Sequence, residues 1–125
     1  MSILDDIGSF VTTAGLVGGA TGWTLFKGYV PPTPDQVVCL LDAGGEQPDT
    51  DLNFKRPQVQ IRVRAAGYQA ARAKVESIID ALHAANLGSG YVYIYANQSA
   101  PMLVGWDRQS NRPEMAINFR AMVQS

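Results

Sequence analysis

Few side chains in this sequence could carry a reaction, and they are informative mainly through what their surroundings lack. The single histidine, His83, falls in the last turn of a predicted helix, near the negative end of the helix dipole. Hydrolysis or group transfer there would need a Ser or Cys nucleophile and an acid to orient the imidazole, and no such set is signposted. The single cysteine, Cys39, sits inside an apolar run, where a thiol behaves as a small hydrophobe rather than a nucleophile. One Cys and one His exclude an internal disulfide and leave too few soft ligands for an ordinary zinc site.

Other clusters meet the same test. Asp42, Glu46, Asp49 and Asp51 crowd one loop, but they do not follow the calcium-loop spacing and read as solvated acids. Gly15, Gly18, Gly19 and Gly22 follow a helix rather than a strand, and no Gly-Lys-Ser/Thr accompanies them, so they mark a helix end rather than a phosphate cradle. Arg62, Arg64 and Arg120 fall on the polar sides of predicted strands without a dense basic stripe. A solvated or subunit-facing surface accounts for them better than nucleic-acid binding. Tyr91, Tyr93 and Tyr95 share one face of a predicted strand, which suits a packed sheet and an interface equally.

The elements that hold these residues follow from periodicity. Ile3, Leu4, Ile7, Phe10, Val11 and Ala14 predict a first helix over 3–16, with Ser2 and Asp5 as a capping-box-like start. Short strands are expected at 23–27 and 36–41, joined through the proline-rich 30–34. Residues 42–56 turn to Gly, Pro, Asp, Asn and Gln, with Leu52 and Phe54 the only large apolar residues. So long a connection reads as a contact arm. Val59, Ile61, Val63 and Ala65 alternate with Gln58, Gln60, Arg62 and Arg64 in the clearest strand. A second helix over 68–85 carries the stripe Ala71, Val75, Ile78, Ile79 and Leu82, stopped by Asn86, Gly88 and Gly90. Strands at 91–96, 102–106 and 114–123 have joins short enough for an antiparallel meander.

That order predicts an α+β fold, a mostly antiparallel sheet with two helices packed on one face. The strands flanking the second helix are compatible with a parallel arrangement. With 125 residues, 46% hydrophobic and 17% charged, the chain has the make-up of a single globular domain over 1–125. Ten Lys plus Arg against eleven Asp plus Glu give a net charge of −1, so nothing marks the whole molecule as a polyanion binder. The apolar stretch 10–20 is too short and too interrupted to span a bilayer. Asp5 and Asp6 stand where a secretory signal would need basic residues, so the segment is expected to be retained after synthesis in the cytoplasm.

Several features together resemble a known family. They are Pro34-Asp35 before an apolar strand, the Gly/Asp-rich loop, and Arg56-Pro57-x-Val59-Gln60-Ile61-x-Val63-Arg64. The amphipathic helix, Trp106-Asp107 and the closing Asn118-Phe119-Arg120 continue the match. From Pro34 onward the chain is similar to the minor capsid and tail-terminator proteins of long-tailed bacteriophages.

The resemblance implies a non-enzymatic virion protein without a cofactor or metal, made in the host cytoplasm. It implies a homo-oligomeric ring, commonly a hexamer, that caps the tail tube and joins it to the head-side neck. Its partners would be copies of itself, the tail tube protein and a neck or head-completion protein. DNA would pass through the lumen without specific binding, and no membrane is involved. Phe54, Arg56, Arg62, Arg64 and Arg120 are the candidate interface residues. The sequence also leaves open another neck component, such as a head-completion or stopper protein, and a small ligand-binding or enzymatic α+β domain.

Overall fold

The computed structural model describes residues 3–18, 21–31, 36–45, 54–88, 90–107 and 112–124. In chain order the elements are α1 (Ile3–Thr13), β1 (Thr24–Lys27), β2 (Val37–Gly45), β3 (Phe54–Lys55) and β4 (Pro57–Arg64). They continue with α2 (Tyr68–Leu82), β5 (Tyr91–Ala96), β6 (Met102–Asp107) and β7 (Arg112–Gln124). The expected α+β architecture is present: among the described residues, two helices and one mixed sheet of seven strands.

Helix α1 buries Leu4, Ile7 and Val11, the spacing that gives a helix one apolar stripe. It stops before the expected Leu16 because Gly15 adopts φ +77°. The Gly15 N–H then reaches the Thr12 carbonyl at 3.1 Å and the Leu16 N–H the Val11 carbonyl at 3.0 Å, the paired bonds of a glycine-closed helix end. Ser2 of the expected capping box lies outside the described residues.

Helix α2 buries Ala71, Val75, Ile78 and Leu82, and each of the larger three contributes about 1.5–3 kcal/mol relative to exposure. It ends at Leu82 rather than Ala85. The Ala84 N–H is taken by the Ile94 carbonyl of β5 at 2.7 Å, and Ala84 itself sits at φ +61°. A left-handed conformation strains any residue with a Cβ. Ala84→Gly is therefore expected to raise stability by about 0.5–1 kcal/mol, after allowing for glycine's greater unfolded-state entropy, as read from the urea unfolding midpoint.

Sheet register divides the side chains into two faces. On one face Val38 and Leu40 of β2 oppose Val63 and Ile61 of β4, which oppose Met115 and Ile117 of β7. Both helices bury their stripes against this face in one continuous core. The other face carries no helix among the described residues.

Strand β7 organises the sheet. Strands β3 and β4 lie along one of its edges, with Lys55 opposite Val123 and Gln58 opposite Arg120. Strands β5 and β6 lie end to end along the other, with Ala96 opposite Phe119 and Met102 opposite Ala116. Thus β4 and β5 run in the same direction with β7 between them. The expected meander is corrected: β6 and β7 pair as neighbours, but β5 and β6 do not form a hairpin. They act as one edge strand interrupted at 97–101. Across that gap the Asn97 N–H donates to the Asn118 carbonyl at 2.8 Å. The Asn118 N–H donates to Gln98 Oε1 at 3.0 Å, so a side-chain amide fills the missing rung.

Strand β2 also runs further than expected. Asp42 pairs with Val59 and Gly45 with Pro57 across a bulge, and β3 pairs with the end of β7. The base of the anticipated arm is therefore sheet, not loop. Its remainder, 46–53, lies outside the described residues, as do residues 32–35 of the proline-rich connector.

Strand β1 is parallel to β2, with Leu25 opposite Val38. A clamp from α2 holds the chain entering it. Lys74 Nζ donates to the Leu16 carbonyl at 2.9 Å and stands 4.9 Å from the centroid of the Trp23 ring. Burial lowers the pKa of this ammonium, while the carbonyl and the aromatic face favour its charged form.

Candidate subunit and partner interface

Strand alternation places Arg62, Arg64 and Arg120 on the helix-free face, as the sequence implied, but in three different environments. Arg120 is exposed and stands between Gln58 and Tyr95 in the register. Arg62 is half-buried; its Nε donates to Gln60 Oε1 at 2.9 Å, and its Nη1 lies 3.8 Å from Glu114 Oε2. Arg64 is only 2% exposed, between Val37 and Glu114 in the register. Arg120 thus presents its charge outward most fully, while the other two are drawn into the surface. Phe54 begins β3 opposite Gln124, half-buried, and Arg56 is the half-buried residue between β3 and β4. Both flank the arm rather than the arginine rows.

Cys39 lies on the same face, fully buried, opposite Phe26 and Arg62. Burial pushes its thiol up to about 11, with Arg64 and Arg62 opposing and Glu114 reinforcing the shift. A thiolate at neutral pH is disfavoured, in keeping with an inert core residue.

The sign of the pH effect follows. The folded state keeps this proton where the unfolded chain, at 9.0, releases it. The contribution is fully present below pH 9 and is lost as pH rises from 9 to about 11, amounting to about 3 kcal/mol. Urea titrations at pH 8 and 11 are expected to show a smaller alkaline loss for Cys39→Ala than for the unaltered chain. Tyr91, whose pKa burial and Asp6 also raise, is present in both proteins and drops out of the comparison.

The tyrosine row is split by the structure. A bulge between Tyr91 and Tyr93 turns Tyr91 toward the helices, where its hydroxyl donates to Asp6 of α1. Tyr93 and Tyr95 remain together, stacked with centroids 4.7 Å apart at 8°. A hollow of about 590 Å³ opens beside Asp6, Lys55, Pro57 and Tyr91.

His83 closes α2 and is exposed. Its Nδ1 accepts the Ala96 N–H at 2.9 Å, and its ring lies 5.3 Å from that of Tyr95. The adjoining hollow, about 510 Å³, is lined by Ile79, His83, Ala96, Asn97, Gln98 and Ser99. No carboxylate among these residues orients the imidazole. Among the described residues no group of three or more His, Cys, Asp or Glu is arranged to hold a metal ion, and no helix is long and apolar enough to cross a membrane.

Sequence reasoning missed the apolar edge. Leu103, Val104 and Trp106 of β6 are 52%, 45% and 54% exposed, although their composition reads as an interior strand. The missing signal is strand order, which places them at a border of the sheet.

Comparison with known proteins agrees with this architecture. A chain of the "Virion of native gene transfer agent (GTA) particle" superposes with a TM-score of 0.72 at 22% identity, covering 99% of this chain and 96% of that one. The likeness extends the fold across the whole molecule. No curated protein matches the sequence. The family model described as "Bacteriophage tail terminator protein" matches residues 4–124, from the first turn of α1 to the last residue of β7. The chain belongs to the bacteriophage tail terminator family, and is a structural protein of the virion tail.

Proposed function

We propose that this chain closes into a homo-oligomeric ring, six copies around, that terminates the tail tube and joins it to the head-side neck. The observation carrying this reading is the family match over residues 4–124. Size supports it. A chain of this length has a radius of gyration of about 14 Å and hence a diameter of roughly 36 Å. Six such bodies in contact leave an opening of about the same width, ample for duplex DNA. The net charge of −1 suits a conduit that passes DNA without gripping it.

The ring's partners are the tube protein below and a neck or head-completion protein above. Arg120, Arg62 and Arg64 on the helix-free face, with Phe54 and Arg56 at the arm's base, are proposed contact residues; an aromatic anchor and arginines are the types enriched in such contacts. The protein acts by binding, not by turnover.

Two measurements test this. Native mass spectrometry of the purified protein is expected to give a closed hexamer. Particles assembled without the protein are expected to have tails of uneven length detached from heads. Tails of normal length joined to heads would overturn the proposal.

A further inference from the structure

The exposed apolar side chains are distributed unevenly. Among the described residues Val92, Tyr95, Leu103, Val104 and Trp106 all stand on β5 and β6, the outermost strands on one side of the sheet. Tyr29, 56% exposed, stands just beyond β1, the outermost strand on the opposite side. Of the exposed large apolar residues among those described, only Tyr68, at the start of α2, lies elsewhere. Taking roughly 150–250 Å² for each large side chain, Leu103, Val104 and Trp106 of β6, at 52%, 45% and 54% exposure, leave on the order of 300 Å² of mainly apolar surface exposed. That is the size of the largest patch on a typical monomer, about 300–600 Å² and often functional. It supplies a little over a third of the about 800 Å² each partner buries in a standard stable interface.

The register says what fits there. One row of side chains crosses the whole sheet on the helix side: Leu25, Val38, Val63, Met115 and Leu103. Its inner members are fully buried, and its last, Leu103, is 52% exposed. The row thus begins on β1 and ends on β6 with apolar residues. Because β1 is parallel to β2 and each later step reverses direction, β1 and β6 run in opposite directions. Setting β1 of a second copy beside β6 creates an antiparallel ladder, the more stable pairing, and continues the apolar row into the next molecule. Border strands are usually guarded by a proline, a charged side chain, a bulge or a short length. Strand β6 has no proline or lysine but carries a bulge between Leu103 and Gly105, and β1 spans only four residues with Lys27 paired to Asp5 at 2.9 Å.

We infer that copies of this chain join head to tail, β6 of one against β1 of the next, with Leu103, Val104 and Trp106 buried in the joint. Two unlike borders of one sheet make a heterologous contact, which closes into a ring when the rotation permits. This deepens the ring reading above by naming its joint, and rests on that reading.

The test uses the full chain. Leu103→Arg combined with Trp106→Arg alters two exposed side chains, so circular dichroism and thermal unfolding are expected to change little. Self-association, followed by analytical ultracentrifugation, is expected to weaken at least about 30-fold. Separately, Thr24→Cys and Val104→Cys proteins are mixed and treated with a short bismaleimide. Cross-links are expected between the two variants and not within either alone, with Cys39 silent in the unaltered chain. Retention of the full oligomer by the double-arginine variant would overturn the joint while leaving the ring standing. Dominant Val104→Cys self-cross-linking would overturn the head-to-tail arrangement in favour of a two-fold dimer. A monomeric unaltered chain at high concentration would overturn ring and joint together.

Discussion

Gly45→Ala is expected to cost about 3–5 kcal/mol of folding stability, a large part of the roughly 5–15 kcal/mol available to a domain. Gly45 adopts φ +136°, and a Cβ added there would lie 2.4 Å from the Arg56 carbonyl oxygen and 2.8 Å from Pro57 Cα. Both obstacles are backbone, held by the pairing of Gly45 with Pro57, so neither can rotate away. Backbone strain and overpacking therefore act together. Gly44→Ala is the control. Its φ is +77°, but nothing lies within 4 Å of the added Cβ, so only conformational strain of about 1–2 kcal/mol is expected. Urea unfolding of the pair checks the difference. Similar midpoints would mean that the bulge yields and that the base of the arm is not rigid.

The second large effect contrasts two adjacent residues. Phe119 is 1% exposed on the helix side, between Val59 and Ala96 in the register. Truncation to alanine is expected to cost about 3–5 kcal/mol through lost burial and the cavity left behind. Arg120, the next residue, is exposed on the other face. Its replacement by alanine is expected to stay within about 0.5 kcal/mol in unfolding experiments. Any effect of Arg120→Ala on assembly would then report contact between molecules rather than folding. Equal costs at the two positions would contradict the division of the sheet into a core face and an open face.

Much of this architecture was legible because local periodicity is strong where a single face is buried. The alternation from Gln58 to Ala65 gave the central strand and correctly placed Arg62 and Arg64 on one side. The Ala71, Val75, Ile78 and Leu82 stripe gave α2. What escaped was long-range. Nothing local to residues 91–107 reveals that β7 is long enough to pair with two strands in succession, so a short join reads as a hairpin. Tyr91 parts from Tyr93 because one extra residue at a bulge reverses the side-chain parity of a strand. The burial of Arg64 likewise depends on Val37 and Glu114, brought beside it from strands far apart in sequence. For the candidate interface, types and faces could be read; depth and border position required the fold.

The interruption between β5 and β6 has a practical consequence. Gln98 completes the rung at Asn118, and the strands on either side are anchored independently to β7, so the turn around Ser99 and Ala100 can accept inserted residues without dragging either segment out of alignment. A short affinity epitope placed there would mark the protein inside an assembled particle, making its position along the tail directly visible.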